Sequence, residues 1–450
     1  MLRCAVTQLT AVTRKLSRQF EMVTDTESVR VGSLVLSCPV YVHVISSEQQ
    51  SSVCDGCLAA PNVVDNVAPT RLLRCSRCRQ SYYCNSDCQR QAWPLHQLEC
   101  KYLRKIQPKV PPAIVRLLLR LSFKQRNQPD YREQLPDGSS RGLRDLEMHK
   151  KEISASVERS EAFSSFLRVI QACVGETFSS ESLFENYCRL VINSTEITDM
   201  MGNSLGTGLY LGLSALDHSC SPNVNVVFSQ NRVEVRAMAD IQPPVWSNLR
   251  LSYLNTVLPG RMRRTRLEED YYFLCQCELC QAEDDGLCEG CVLCEQCGAP
   301  VGFHQDHCDR CGAETDQNTI LSETQIFFKH LNNVQLIEAY RLMKKKFHVF
   351  DHRMFEFSER VMAACLSEEE FSKFYQIGES LVPAYNKYFF PLSASLGLHL
   401  AKLAKMAVYL DKKEEALTYL GRACDIFKVS HGEQSEMMKY MLSVCSTISS

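Results

Sequence analysis

In the last third of the chain, apolar residues return at helical spacing. Leu396, Leu400, Leu403 and Ala407 mark one stripe, and Ala416, Leu417, Leu420, Ala423 and Phe427 a second, with the polar step Asp411 to Lys413 between them. That period predicts two antiparallel helices turned on the polar step. Gly432 is placed to end the second, because glycine accepts the left-handed backbone of a helix C-cap. The chain from Pro111 to Leu190 also reads as mostly helical, broken by the polar stretch Asn127 to Arg141. Asn225 to Phe228 and Arg232 to Ala237 instead alternate or run β-branched around a polar step, which predicts two strands joined by a turn. The longest apolar runs, such as Val40 to Ile45 and Ile114 to Leu119, stop far short of the ~20 residues a bilayer span requires, so no membrane span is expected.

Composition narrows the class. A chain of 450 residues, 45% of them hydrophobic, has material for several domains with real cores, which excludes disorder as the main state. Fifty basic residues against 52 acidic ones exclude a globally basic nucleic-acid coat, so charge-driven binding has to come from a local patch. Between Arg71 and Lys109 nine Lys/Arg stand against two Asp/Glu. That stretch reads either as a weak contact for DNA phosphates or as a solvated face that offsets nearby thiolate charge. The first twenty residues carry Arg3, Arg14, Lys15 and Arg18 without an acid or an apolar centre, as transit peptides and poorly ordered termini do. Without a secretory signal a reducing, cytoplasmic and nuclear setting is expected, where clustered cysteines bind metal rather than form disulfides.

Nineteen of the 24 cysteines lie between Cys54 and Cys311, most in short pairs. Cys54 and Cys57, Cys75 and Cys78, Cys84 and Cys88, and His96 and Cys100 are each separated by two or three intervening residues, spacings that aim both side chains at one ion from a turn or a helix face. These eight residues suffice for two closed tetrahedral zinc sites, which leave no position for water or substrate and are therefore structural. Cys275, Cys277 and Cys280 need a fourth partner, and Cys220 is the best unpaired candidate. Cys294, Cys297, Cys308 and Cys311 form two further knuckles, each closed by a glycine, for a fourth zinc beyond the three expected; Cys288 and Cys291 have no assigned role.

With Trp93 between Cys88 and His96, the first cluster resembles a MYND zinc finger. The resemblance implies interleaved ligation: Cys54, Cys57, Cys84 and Cys88 on one zinc, Cys75, Cys78, His96 and Cys100 on the other. Downstream, Asn193-Ser194, the run Asp217-His218-Ser219-Cys220, Tyr253 after Leu251, and Tyr271 to Phe273 ahead of Cys275 follow in an order that resembles the SET domain and post-SET segment of protein lysine methyltransferases. A finger inserted in a SET core, followed by a helical C-terminal domain, is the layout of the SET and MYND domain (SMYD) family. The implied fold is α+β and multidomain. Its parts are a divergent N-terminal section of the SET core (1–53), the finger (54–100), a helical insertion (101–190), the β-rich SET core (191–258), a cysteine-rich post-SET zinc segment (259–315) and an all-α tetratricopeptide-like domain (316–450).

The activity this implies is S-adenosylmethionine-dependent methylation of lysine in histone or non-histone proteins, by in-line displacement. An ordinary lysine amine, with a pKa near 10.4, must first lose its proton. By residue-to-residue match, Asn193, Asp217, His218 and Phe273 would bind the cofactor, Tyr253 would stand at the transfer centre, and Tyr271 would line the lysine channel. MYND fingers bring proline-rich peptide partners, and a monomer is expected. The chain also departs from the family pattern. The family's N-terminal Gly-x-Gly is missing, since the first glycine is Gly32; Asp217 replaces an asparagine; Thr195 replaces an aromatic; and Pro243 to Asn248 replaces a Gly-Glu-Glu turn. These departures support an alternative reading, a catalytically impaired adaptor that binds proline-rich partners.

Overall fold

The computed structural model describes residues 26–59, 71–175, 177–282, 292–302, 305–315 and 331–449. The segment expected to hold the Gly-x-Gly turn lies largely outside these residues, as do Cys288 and Cys291.

Two three-stranded antiparallel sheets carry the core. In the first, Leu34–Pro39 pairs with Arg232–Ala237, which pairs in turn with Val224–Ser229, so the expected hairpin is present and gains a third strand from far upstream. In the second, Ser204–Leu209 lies between Val42–Ile45 and Ser194–Thr198. Gly206 is required there, because a Cβ at that position would sit 2.1 Å from the Val44 carbonyl oxygen. Val35, Leu36, Val233, Val235, Ala237 and Leu249 fill the space beneath the first sheet. Burying such side chains contributes roughly 1.5–3 kcal/mol each.

The helices Ala113–Asn127, Val157–Val174 and Ser180–Asn193 pack against the second sheet, as the apolar pattern indicated. The polar break between them is not a loop but a hairpin, Arg132–Gln134 with Ser140–Gly142, turned on Gly138 at φ +85°. The finger's ligand-bearing helix spans Ser86–Lys105, capped where the Asn85 side chain accepts the Cys88 N–H at 2.9 Å.

The C-terminal part contains helices Asn333–Lys346, His352–Ser367, Phe371–Tyr388, Ala394–Tyr409, Lys413–Ser430 and Glu436–Ser449. The two predicted stripes are buried as expected, except that Leu417 faces out and is 40% exposed. This domain docks on the first sheet. Asn225 donates to the Leu392 carbonyl and accepts from the Ala394 amide, both at 2.9 Å, and Thr256 donates to the Tyr388 carbonyl at 3.1 Å. Among the described residues no helix is long and apolar enough to cross a membrane.

Candidate functional site

Fifteen thiols and the His96 ring assemble into four quartets: Cys54, Cys57, Cys84, Cys88; Cys75, Cys78, His96, Cys100; Cys220, Cys275, Cys277, Cys280; and Cys294, Cys297, Cys308, Cys311. Four ligands at about 2.3 Å around a tetrahedral zinc stand about 3.8 Å apart. Measured separations fit that shape: Cys57 to Cys84 3.7 Å, Cys75 to Cys100 3.9 Å, Cys220 to Cys280 3.5 Å and Cys294 to Cys311 3.6 Å. One thiol in each quartet is held below its ordinary range. The Cys57 side chain and nearby amides bring Cys54 to about 4, and the Cys297 amide brings Cys294 to about 7. Burial opposes ionisation of Cys75 and Cys277, but backbone hydrogen bonds outweigh it and bring them to about 7 and about 6. The described residues thus fit zinc at all four positions.

The finger is anchored by buried charge. His96 lies 3.5 Å from Cys78 Sγ through Nε2 and 3.1 Å from Glu99 through Nδ1, so a carboxylate behind the ligand ring sets its orientation. Glu99 and Asp55 are both met by Arg116 and Arg120 from the neighbouring helix; Arg120 reaches Asp55 at 2.7 and 2.9 Å and the His43 carbonyl at 2.8 Å. All nine basic side chains between Arg71 and Lys109 are exposed.

The third quartet abuts the predicted chemistry. Asp217–His218 forms a short parallel pairing with Arg250–Leu251, which places Tyr253 just beyond the strand end. The Pro243 to Asn248 segment does not disrupt this pairing. It forms a helical turn, Val245–Asn248, and Asn223 clips it by donating to the Asn248 carbonyl and accepting the Arg250 amide, both at 2.7 Å. The Tyr253 amide donates to His218 Nδ1 at 3.0 Å, and its hydroxyl donates to the Leu216 carbonyl at 2.8 Å.

The helix Gly260–Tyr271 ends at Tyr272, whose left-handed φ of 60° turns the chain so that Tyr271 and Phe273 both face Tyr253. A non-glycine residue pays roughly 1–2 kcal/mol for that conformation. Ring centroids are 4.9 Å apart for Tyr253 and Tyr271, 6.4 Å for Tyr253 and Phe273, and 5.9 Å for His218 and Phe273. Burial, with Asp217 and Tyr271 adding to it, pushes Tyr253 up to about 12; burial also raises Tyr271. Burial, with the Arg263 charge, brings His218 down to about 4, so it is a neutral ring.

A cleft of about 460 Å³ opens beside this group, lined by His218, Ser219, Ser221, Arg250, Phe273 and the 275–278 turn. Of the four residues predicted to bind cofactor, His218 and Phe273 line it. Asp217 is exposed next to it. Asn193 ends the helix Ser180–Asn193, and its amide nitrogen donates to the carbonyls of Glu147 and Arg189 at 2.8 Å each. Thr195 is half-buried on the strand that follows. Three residues escaped the sequence reading: Asn223, Arg250 and Arg141. Arg141 reaches in from the hairpin and donates to Ser214 Oγ at 3.1 Å and to its carbonyl at 2.9 Å. The Asp137-Gly138 pair was a legible hairpin signal that would have brought Arg141 into view.

Residues 54–100 match the family model of the MYND finger. The chain is 27% identical over 424 residues to human "Histone-lysine N-methyltransferase SMYD3", covering 92% of each protein. It is 25% identical over 418 residues to bovine "N-lysine methyltransferase SMYD2" and 26% over 419 residues to zebrafish (Danio rerio) "N-lysine methyltransferase SMYD2-A", covering 90% of each protein in both cases. The matched finger, the assembled ligand quartets and an alignment running along nine-tenths of the chain together support membership of the SET and MYND domain (SMYD) family.

Proposed function

We propose that this chain is an S-adenosylmethionine-dependent protein-lysine N-methyltransferase. The observation that carries the reading is the cluster of Tyr253, Tyr271 and Phe273 around neutral His218, beside a cleft that His218 and Phe273 line. Its support is the family relationship to proteins named as lysine methyltransferases.

The residues present fit the cofactor's chemistry. The cleft has the volume of a small-molecule site, an aromatic face in Phe273 and His218, and the opposite charges of Arg250 and Glu278 in its lining. When bound, the cofactor supplies an electrophilic methyl group on a sulfonium. His218, Phe273, Asp217 and Asn193 would hold it, Asn193 through its carbonyl oxygens, because its side-chain nitrogen is already engaged.

The protein's own part is to receive a lysine amine and keep it neutral. Tyr253 and Tyr271 offer a half-buried wall in which a cation loses solvation, favouring the free amine. Neither tyrosine serves as a base, since burial raises both above their ordinary values and keeps the phenols protonated. The amine proton therefore leaves to solvent before the amine is seated. Tyr253, fixed at its amide and at its hydroxyl, then orients the nucleophile, and most of the acceleration comes from that alignment. The four thiol quartets scaffold these parts and take no step in the reaction.

The substrates are lysine-bearing proteins, histone or non-histone, with the finger supplying a further surface for protein partners such as proline-rich peptides. Equilibrium binding of S-adenosylmethionine to zinc-replete protein tests the reading. Saturable binding supports it. No binding at millimolar cofactor, with proline-rich peptide still bound, leaves the adaptor reading.

A further inference from the structure

We infer that Arg159 is a positioning residue for this site: from the helical insertion it locks the turn at Tyr272 that aims Tyr271 and Phe273 at Tyr253. This rests on the methyltransferase reading and goes beyond it, because it puts the shape of the site under the control of the insertion.

Arg159 stands in the first turn of the helix Val157–Val174, after the Ser156 cap. A cation there sits at the wrong end of its own helix, where unpaired amides already carry partial positive charge. Its side chain instead crosses to the opposite pole of another helix. Nη2 donates to the carbonyls of Glu269 and Asp270, at 3.2 and 3.4 Å, and meets Asp270 Oδ1 at 3.5 Å. Those carbonyls belong to the last turn of Gly260–Tyr271, where the helix has no further amides to satisfy them and no basic residue of its own.

The same guanidinium lies 5.1 Å from the centroid of the Tyr272 ring, within cation–π reach. Tyr272 holds the left-handed backbone that glycine usually supplies at a helix end, so contacts of its side chain have to keep it there. Besides Arg159, the His149 ring stands 5.2 Å from it, and Tyr272 packs against the apolar cluster of the insertion. Nη1 of Arg159 is buried and takes no hydrogen-bond partner among the described residues, so the ring and the carbonyls are what this cation gains in place of water. Arg159 is itself anchored, since the Tyr187 hydroxyl donates to its carbonyl at 3.3 Å. It does not line the cleft. Its influence therefore passes through Tyr272 to the two flanking aromatic residues, Tyr271 on the lysine wall and Phe273 in the cleft.

The test is titration of S-adenosylmethionine against the full, zinc-replete chain, with amide hydrogen exchange read alongside. Arg159→Gln keeps the length and an amide donor but loses the planar cation. It should bind the cofactor roughly tenfold more weakly than wild type, through a displaced Phe273. Exchange at the Tyr272 and Phe273 amides should quicken by about tenfold, while the helix Ser180–Asn193 keeps its wild-type protection. Arg159→Lys, which returns a cation to the helix end, should restore affinity to within about threefold of wild type. Wild-type affinity and protection in Arg159→Gln would overturn the inference and leave the methyltransferase reading standing. So would faster exchange throughout the protein, the sign of a merely structural residue. If wild type itself binds no cofactor, the methyltransferase reading fails and this inference with it.

Discussion

The Tyr253 amide donates to Nδ1 of His218 at 3.0 Å, while the other ring nitrogen of His218 lies 3.3 Å from Cys220 Sγ. An amide can only donate, so Nδ1 accepts, Nε2 carries the hydrogen, and the ring donates to the sulfur. One imidazole thus joins a metal-binding thiol to the backbone of the site tyrosine, as partners behind metal ligands commonly do. His218→Ala should lower methyl-transfer rate by about 10- to 100-fold with the protein still folded. Initial rates measured beside zinc content check this, and a wild-type rate would show that Tyr253 is held in place by other contacts.

Zinc content should be four ions per chain, one for each quartet. Replacing Cys294 and Cys297 together by serine should lower the count to three and loosen the helical domain, because Cys294 and Cys308 belong to the same apolar cluster as Phe347 and Leu336. Closed structural sites contribute about 10–16 kcal/mol to small zinc domains, so chelation should unfold the finger. Metal analysis of undenatured protein gives the count; three ions in wild type would show that the fourth quartet is a cluster of free thiols.

Arg120 neutralises two fully buried acids, Asp55 and Glu99. Arg120→Met should destabilise the protein by about 3–5 kcal/mol, since it strands buried charge that Arg116 only partly covers. Denaturant titration measures the loss. A change under about 1 kcal/mol would place the anchoring of the finger in its apolar contacts instead.

Acid should weaken the helical domain. Burial brings His399 down to about 4, and burial together with the Arg236 charge does the same to His431. The unfolded imidazoles bind protons near pH 6.5, the folded ones only near 4, so the unfolded state holds more protons between those values and stability falls as pH falls. The loss is on the order of 3 kcal/mol per histidine across that window. Glu359, 3.8 Å from His399 and raised by burial, gains stability as it protonates and offsets part of this. Thermal melts from pH 7 to pH 4 should show a slope that His399→Gln reduces; an unchanged slope would assign the acid sensitivity to other groups.

The parts of this fold that were legible in sequence were those governed by local spacing. Cysteine pairs with two or three residues between them announced the quartets, because a turn or one helix face decides whether two thiols can share an ion. The stripes from Leu396 to Phe427 announced their helices in the same way, with Leu417 misread because a wide apolar stripe does not mark its own edge. Arg141 was not legible, since nothing near it in sequence indicates that a hairpin carries it to Ser214, 73 residues on. The Pro243 to Asn248 turn looked disruptive for a related reason: the residue that restores the strand after it, Asn223, lies on a different loop.

The account stands most directly on Tyr253. Wild type and Tyr253→Phe, at equal zinc content, should be offered methyl-labelled S-adenosylmethionine and a mixture of histone and non-histone proteins, with labelled lysine as the readout. Wild type should label lysine, and Tyr253→Phe, which loses only the hydroxyl bound to the Leu216 carbonyl, should fold normally and transfer about a hundredfold more slowly. Equal labelling by both proteins, or none by wild type that demonstrably binds the cofactor, would contradict the assignment of this cleft as a methyl-transfer site.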